Sequence, residues 1–178
     1  MPKVVNIEPT PNPDALKFIV QSPILRSGVR SFRDFAAAVG DPLGSALFAL
    51  GHVTSVFYMD RFVTVNKAPE APWSELIDPI CETIEDLSPD EAEGTRPAAP
   101  ASQDEKLARI LDVLDTRVRP GLAGDGGGLE VIGFDGSTLE ISYQGACGSC
   151  PAASGGTLHS IESILQSEVD PALRVISY

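Results

Sequence analysis

Apolar residues recur along this chain with two periods, and the switches between them mark the elements. Val4-Val5-Asn6-Ile7 and Leu16-Lys17-Phe18-Ile19-Val20 flank the turn-rich Pro9-Thr10-Pro11-Asn12-Pro13-Asp14, which predicts two strands around a proline-stiffened loop. Asp41-Pro42 reads as a helix start, with Asp41 as N-cap and Pro42 at the first helical position. Leu43, Leu47 and Leu50 then form an apolar face, and Gly51 stops the helix. Val53–Tyr58 and Phe62–Val65, rich in β-branched and aromatic residues, flank Met59-Asp60-Arg61 as a hairpin. Trp73 and the cap Ser74 begin a second helix that carries Leu76, Ile77, Ile80, Cys81 and Ile84 on one side.

The pattern restarts after a break. Ser102-Gln103-Asp104-Glu105 is a capping-box pattern, followed by Ile110, Leu111, Leu114 and Val118 at helical spacing. This helix is expected to end by Arg119-Pro120, because proline removes a donor and restricts the residue before it. Gly124-Asp125-Gly126-Gly127-Gly128 reads as a very flexible turn. Leu129–Phe134 and Thr138–Tyr143 flank Asp135-Gly136, a favoured hairpin turn. Leu139, Ile141 and Tyr143 alternate with Glu140, Ser142 and Gln144, so one face of this hairpin is expected to be wet. Leu158, Ile161 and Leu165 mark an amphipathic helix, and Leu173-Arg174-Val175-Ile176 a closing strand. Between the two patterns, residues 88–103 are rich in proline, alanine and acid and hold no bulky apolar side chain. Such a stretch cannot bury enough surface to offset its ordering entropy. The predicted class is therefore α+β: two small α/β two-layer domains, residues 1–87 and 104–178, joined by a flexible linker over 88–103.

Composition narrows the setting. The chain has 178 residues, 43% of them hydrophobic, enough for two globular cores. No apolar run approaches the roughly 18 residues that a membrane span needs. Met1-Pro2-Lys3-Val4-Val5-Asn6 has neither a signal-peptide core nor Arg-rich transit character, so a cytoplasmic location is expected. Three cysteines, an odd number, do not resemble a secreted disulfide framework. A formal charge of −12 repels nucleic acid and anionic membrane and favours basic partners, and an acidic surface of this kind also serves solubility.

Candidate chemistry is concentrated in Gly145-Ala146-Cys147-Gly148-Ser149-Cys150-Pro151, at the junction of hairpin and helix. The Cys-x-x-Cys spacing lets both sulfurs turn to one side, and Gly148 and Ser149 leave the backbone free to curl around a ligand. Pro151 can start the following helix, whose free N–H groups and dipole favour thiolates. That suits metal binding and redox exchange alike. Cys147 and Cys150 supply two metal ligands, whereas structural zinc and iron–sulfur clusters usually want four. Cys81 lies on an apolar helical stripe and reads as buried and inert. His52 follows a helix-stopping glycine and reads as structural. His159 is expected about two helical turns along, beyond easy reach of a metal at the helix start. The count closes most simply by symmetry, with two chains each giving two thiolates to one centre. A dithiol–disulfide oxidoreductase and an interaction protein with a structural zinc remain the alternatives. An antiparallel hairpin before the motif speaks against the first, and the missing second ligand pair against the second.

Residues 104–178 resemble the C-terminal domain of the NifU/Nfu family of iron–sulfur cluster proteins, through Val118-Arg119-Pro120, Asp125-Gly126-Gly127, the cysteine motif, and Thr157-Leu158 followed by Ile161-Glu162. Residues 4–86 resemble the Nfu N-terminal domain, through Thr10-Pro11-Asn12-Pro13-Asp14-Ala15-Leu16-Lys17-Phe18, Asp41-Pro42-Leu43, Leu47-Phe48, Val56-Phe57 and Phe62-Val63-Thr64-Val65-Asn66-Lys67. The resemblance implies a non-catalytic carrier that becomes a homodimer on binding a 4Fe–4S cluster, held through Cys147 and Cys150 of each protomer. It further implies an upstream assembly scaffold and apo iron–sulfur proteins as partners. The N-terminal domain, which offers no metal-ligand constellation in its sequence, reads as a docking or regulatory module. Two departures from the family pattern are Gly128 after Asp-Gly-Gly, and Gly155-Gly156, where bulkier residues are usual and a looser helix start is expected. Asp125 reads as a turn residue supported by glycines, or as a carboxylate that orients the cysteine loop.

Overall fold

The computed structural model describes residues 3–87, 92–93, 105–148 and 153–178. The chain divides into two compact units, Met1–Arg96 and Pro97–Tyr178, each with its own sheet and core.

In the first unit, β1 (Val4–Pro9) and β2 (Ala15–Val20) form the expected antiparallel pair. Their loop is held by Thr10, whose hydroxyl donates to the carbonyls of Asn12 and Ala15, and by Asn12, whose side chain accepts from the Asp14 N–H. Short elements follow that the periodicity does not mark: β3 (Leu25–Ser27), β4 (Arg30–Phe32) and α1 (Phe35–Ala38). Helix α2 (Pro42–Ala49) starts as expected, with Asp41 accepting from the Gly44 N–H at 2.7 Å. It stops at Gly51, whose φ of +77° suits glycine. β5 (Val53–Met59) and β6 (Phe62–Lys67) pair around a tight turn, and the sheet order is β1-β2-β6-β5-β4, antiparallel throughout. Helix α3 (Trp73–Leu87) already includes Trp73, so Ser74 is a first-turn residue and not the cap. Leu43 and Leu47 from α2, and Leu76, Ile80 and Ile84 from α3, close over Phe18, Val20, Val56, Tyr58, Val63 and Val65 of the sheet. Each large side chain buried there contributes about 1.5–3 kcal/mol. Within the stretch read as linker, β7 (Ala92–Glu93) pairs in parallel with β3.

In the second unit, α4 (Glu105–Val113) carries the apolar stripe, while the proposed capping residues 102–104 lie outside the described residues. The helix does not end by Arg119-Pro120. It widens to a π-helical turn over Leu114–Val118, where the Arg119 N–H reaches back to the Leu114 carbonyl, and continues as α5 (Arg119–Gly124). The wider turn makes room for the ring of Pro120, which stands in the first turn of α5, where its missing donor costs little. Leu114, Val118 and Leu122 therefore remain on one buried stripe.

The glycine run is also more ordered than a flexible turn. Only Gly126, at φ +77°, turns the chain, and Gly127 and Gly128 are already in β8 (Gly127–Phe134). β9 (Thr138–Gly145) pairs with β8 across Asp135-Gly136, and β10 (Arg174–Ser177) pairs with β9 in parallel, giving the order β10-β9-β8. Ser142, expected on the wet face of β9, is 3% exposed, because β9 is the central strand. After the cysteine loop comes a π-helical turn, Ala153–Thr157, and then α6 (Leu158–Glu168). Gly155 and Gly156 fall in that turn, with open space where a Cβ would be. Leu107 and Ile110 of α4, and Ile161 and Leu165 of α6, pack on Leu129, Val131, Leu139, Ile141 and Val175 of the sheet. Among the described residues no helix is long and apolar enough to cross a membrane.

Candidate functional site

The site is built where β8 begins and β9 ends. Alternation on these two strands is the local cause. Gly127, Leu129 and Val131 share the core-facing side of β8, and Ile141, Tyr143 and Gly145 share that of β9. The register sets Gly127 opposite Gly145 and Leu129 opposite Tyr143. The Ala146 N–H donates to the Gly126 carbonyl at 3.2 Å, which ties the end of β9 to the turn before β8. Gly145, at φ +65°, then bends the chain into a 3-10 turn, Ala146–Gly148.

That turn lays Cys147 onto Gly127. A Cβ built on Gly127 would stand 2.5 Å from Cys147 Sγ, 3.0 Å from Cys147 Cβ and 2.8 Å from the Gln144 carbonyl oxygen. The 2.5 Å and 2.8 Å distances are shorter than real Cβ contacts and the 3.0 Å one is tighter than most, so glycine is the residue that leaves this space without a shift. Cys147 is half-buried and packs against the core of the unit, which anchors its base while part of the side chain stays accessible. Gly148 is exposed, and a Cβ there would come within 3.2 Å of the Tyr143 carbonyl oxygen. A larger residue would thus press on β9 from the same turn.

Tyr143 is the neighbouring polar side chain. It is buried, with its hydroxyl oxygen sealed from solvent. Burial, and next the negative charge of Cys147, push its hydroxyl up to about 12. The two residues are therefore electrostatically coupled. Asp125 is exposed and acts through its backbone, capping α5 by donating to the Gly121 carbonyl at 3.2 Å.

Of the sequence-predicted site residues, Cys147 is placed as described. Cys150, with Ser149 and Pro151, lies outside the described residues. Cys81 is on α3 in the other unit, half-buried against that core; burial first, then Glu85 and Asp78, push its thiol up. That is the environment of an unreactive thiol. His52 is an exposed turn residue at φ +61°. His159 is exposed in α6, beyond the π-helical turn Ala153–Thr157 that opens the helical run after the motif. Among the described residues no three His, Cys, Asp or Glu side chains converge as a metal site. Sequence reasoning missed Gly127 as a contact residue, having assigned the glycine run to turning, and missed Tyr143, having read it as core. A glycine inside a strand is the signal that could have found the first.

Residues 5–90 match the family model described as scaffold protein Nfu/NifU N terminal, and residues 110–176 match the NifU-like domain. The chain is 33% identical over 176 residues to NifU-like protein 5, mitochondrial, of Arabidopsis thaliana, covering 93% of this chain and 64% of that protein. It is 35% identical over 169 residues to NFU1 iron-sulfur cluster scaffold homolog, mitochondrial, of Homo sapiens, covering 91% of this chain and 66% of that protein. The chain thus spans just under two thirds of the length of these curated relatives. A solution NMR structure of a NifU-like protein from Saccharomyces cerevisiae matches with a TM-score of 0.41 and 22% identity, over 46% of this chain and 76% of that one. The relatives' names correct one expectation. They are mitochondrial proteins, and the cytoplasmic location read from the first residues is withdrawn. Targeting segments are read by receptors and removed, so the residues that build the fold do not carry the address.

Proposed function

Because this chain belongs to the NifU/Nfu family, with relatives that are iron–sulfur cluster scaffolds, we propose that it is a non-catalytic carrier that holds a 4Fe–4S cluster between two protomers and hands it to apo-proteins. Cys147 and Cys150 are the ligands in each protomer, and the cluster is cargo. The observation that carries this reading is the seating of Cys147 on Gly127: one thiol, its base fixed by the core, presented from a turn on a backbone floor. Two thiolates per chain leave a four-ligand shell half filled, and a twofold partner fills it.

Such a shell favours release. When the protomers separate, or a recipient's thiolates attack, each chain retains half of the ligands. A storage or electron-transfer centre gains from a shell closed within one fold. This one closes only by association, which suits passage from an upstream assembly scaffold to an apo iron–sulfur protein. Residues 104–178 form the cluster-binding domain, residues 1–87 the docking or regulatory domain, and residues 88–103 the linker that lets the two act separately. The acidic surface favours recipients with basic faces and disfavours nucleic acid and membrane.

The test is anaerobic transfer. Protein reconstituted with iron and sulfide should approach one four-iron cluster per two chains. Mixed with an apo-enzyme that needs a 4Fe–4S cluster, in the presence of an iron chelator, it should activate that enzyme faster than free iron and sulfide do. A stable loaded monomer without external thiol would remove the shared-cluster reading. Failure to activate any of several apo-enzymes, together with rapid disulfide reduction by the Cys147/Cys150 pair, would establish the oxidoreductase alternative.

A further inference from the structure

The sheet of the C-terminal unit ends in two edge strands, β8 and β10. An edge presents N–H and C=O groups that can pair with a strand of another chain. β8 is interrupted by a register shift between Val131 and Gly133, and such a bulge blunts an edge. β10 has no interruption of that kind. Its register with β9 runs without a shift from Arg174 to Ser177, and it holds no proline or lysine. Val175 and Ile176 are β-branched, and Ile176 and the following Tyr178 are exposed.

Two side chains of α6 close this edge. The Arg174 and Tyr178 N–H groups donate to the Ser137 and Ile141 carbonyls on the β9 side, so the Val175 N–H points the other way. It donates to Glu162 Oε2 at 2.9 Å. Two residues back, the Leu173 carbonyl accepts from Gln166 Nε2 at 2.8 Å. Glu162 and Gln166 stand four residues apart on α6, hence on one face of the helix. One offers an acceptor and the other a donor, at the two places where a neighbouring strand would offer a carbonyl and an N–H. Glu162 of the family-like Ile161-Glu162 pair is thus engaged at the sheet edge.

From this geometry we propose that Glu162 and Gln166 act as a strand mimic, which keeps β10 from pairing with β10 of a second copy of this chain. A second copy fits because the edge is self-complementary. Turned antiparallel about a twofold axis, with Arg174 opposite Arg174, the Val175 N–H of each copy meets the Leu173 carbonyl of the other. The inference stands on the α6–β10 contacts alone. Under the carrier reading, its consequence is that association of the chains is left to the cluster.

The test uses the full-length apo-protein as wild type, E162A/Q166A and E162Q, with thermal transitions as the fold control. High salt screens the repulsion between two opposed Arg174 side chains. Sedimentation velocity measures self-association, and a synthetic peptide of residues 172–178 probes the edge directly. E162A/Q166A should self-associate roughly ten-fold more tightly than wild type, about the effect of one to two net hydrogen bonds, and should bind the peptide. E162Q retains an acceptor oxygen and should match wild type in both readouts. Equal self-association and equal peptide binding in wild type and E162A/Q166A would overturn the proposal. Tight association of E162Q would overturn it too, because charge and not the hydrogen bond would then close the edge. If E162A/Q166A does not fold, E162A and Q166A are tested singly, each opening one backbone group, and no peptide binding by either overturns the proposal. No cluster is present in these measurements, so failure of the carrier reading leaves their outcome unchanged.

Discussion

Gly127 lies against Cys147 so closely that a methyl group added at position 127 would stand 2.5 Å from the Cys147 sulfur. The ligand loop is thus seated on a strand, and the seat depends on a missing side chain. Sequence reasoning looked instead to the helix after the motif for the preorganising element. The helical run after the motif is described from Ala153, as a π-helical turn that passes into α6 at Leu158.

Substituting this glycine should therefore separate folding from loading. G127A forces either the cysteine turn or the Gln144 backbone to shift, because the added atom also meets the Gln144 carbonyl oxygen at 2.8 Å. Overpacking of this kind costs about 1–3 kcal/mol. G127A should lower apo-protein stability by that amount in urea titration and lose stable cluster uptake, measured as iron and sulfide per chain. Full loading of G127A would show that the seat is not needed.

The cysteines should behave in two classes. C147A and C150A should each abolish stable cluster binding, since each removes two of four ligands from a shared shell. C81A should load normally, because Cys81 sits on α3 in the other unit with its thiol pushed up by burial. Iron analysis with gel filtration reads both outcomes. Equal loss in C81A would reassign the ligand set.

In the N-terminal unit one carboxylate holds three elements together. Asp41, 5% exposed, caps α2 through the Gly44 N–H at 2.7 Å, accepts the Tyr58 hydroxyl of β5 at 2.6 Å, and pairs with Arg30 of β4. D41A removes the cap and the acceptor of the buried Tyr58 hydroxyl, so a loss of about 3 kcal/mol is expected. D41N, which keeps the cap acceptor, should lose less. Urea unfolding followed by Trp73 fluorescence measures both, and equal losses would mean that the ionic contact dominates.

The hairpin turn of the C-terminal unit should carry an acid-side pH dependence. Asp135 accepts from the Ser137 N–H at 2.9 Å, the Thr138 N–H at 2.7 Å and the Ser137 hydroxyl at 3.1 Å. The Ser137 N–H, foremost, holds its carboxyl below the usual carboxylate range. A folded value below the unfolded one means that the contribution is fully present above the unfolded value and is lost as pH falls through the folded one. D135N should flatten the decline in stability below about pH 4. Parallel profiles for D135N and wild type, from urea midpoints at stepped pH, would refute the assignment.

What the sequence by itself determined is what lies within a few neighbouring residues. Asp41-Pro42 and Gly51 bound α2, Asp135-Gly136 makes the hairpin, and the 3.6 and 2.0 periods separate helices from strands. These signals are local, because caps, turns and amphipathic faces are set by adjacent φ/ψ preferences and by side-chain spacing. Tertiary structure decided the rest. Pro120 ends a helix by local rules, but burying Leu114, Val118 and Leu122 on one stripe stabilises the π-helical turn that carries the chain past it. Ser142 is polar by pattern but buried, because β10 joins β9 from 36 residues downstream and makes it central. Gly127 and Cys147 are 20 residues apart, and nothing in either neighbourhood specifies their contact. Only the β8–β9 register brings them together, along with Tyr143, because strand pairing sets distances that sequence spacing leaves undefined.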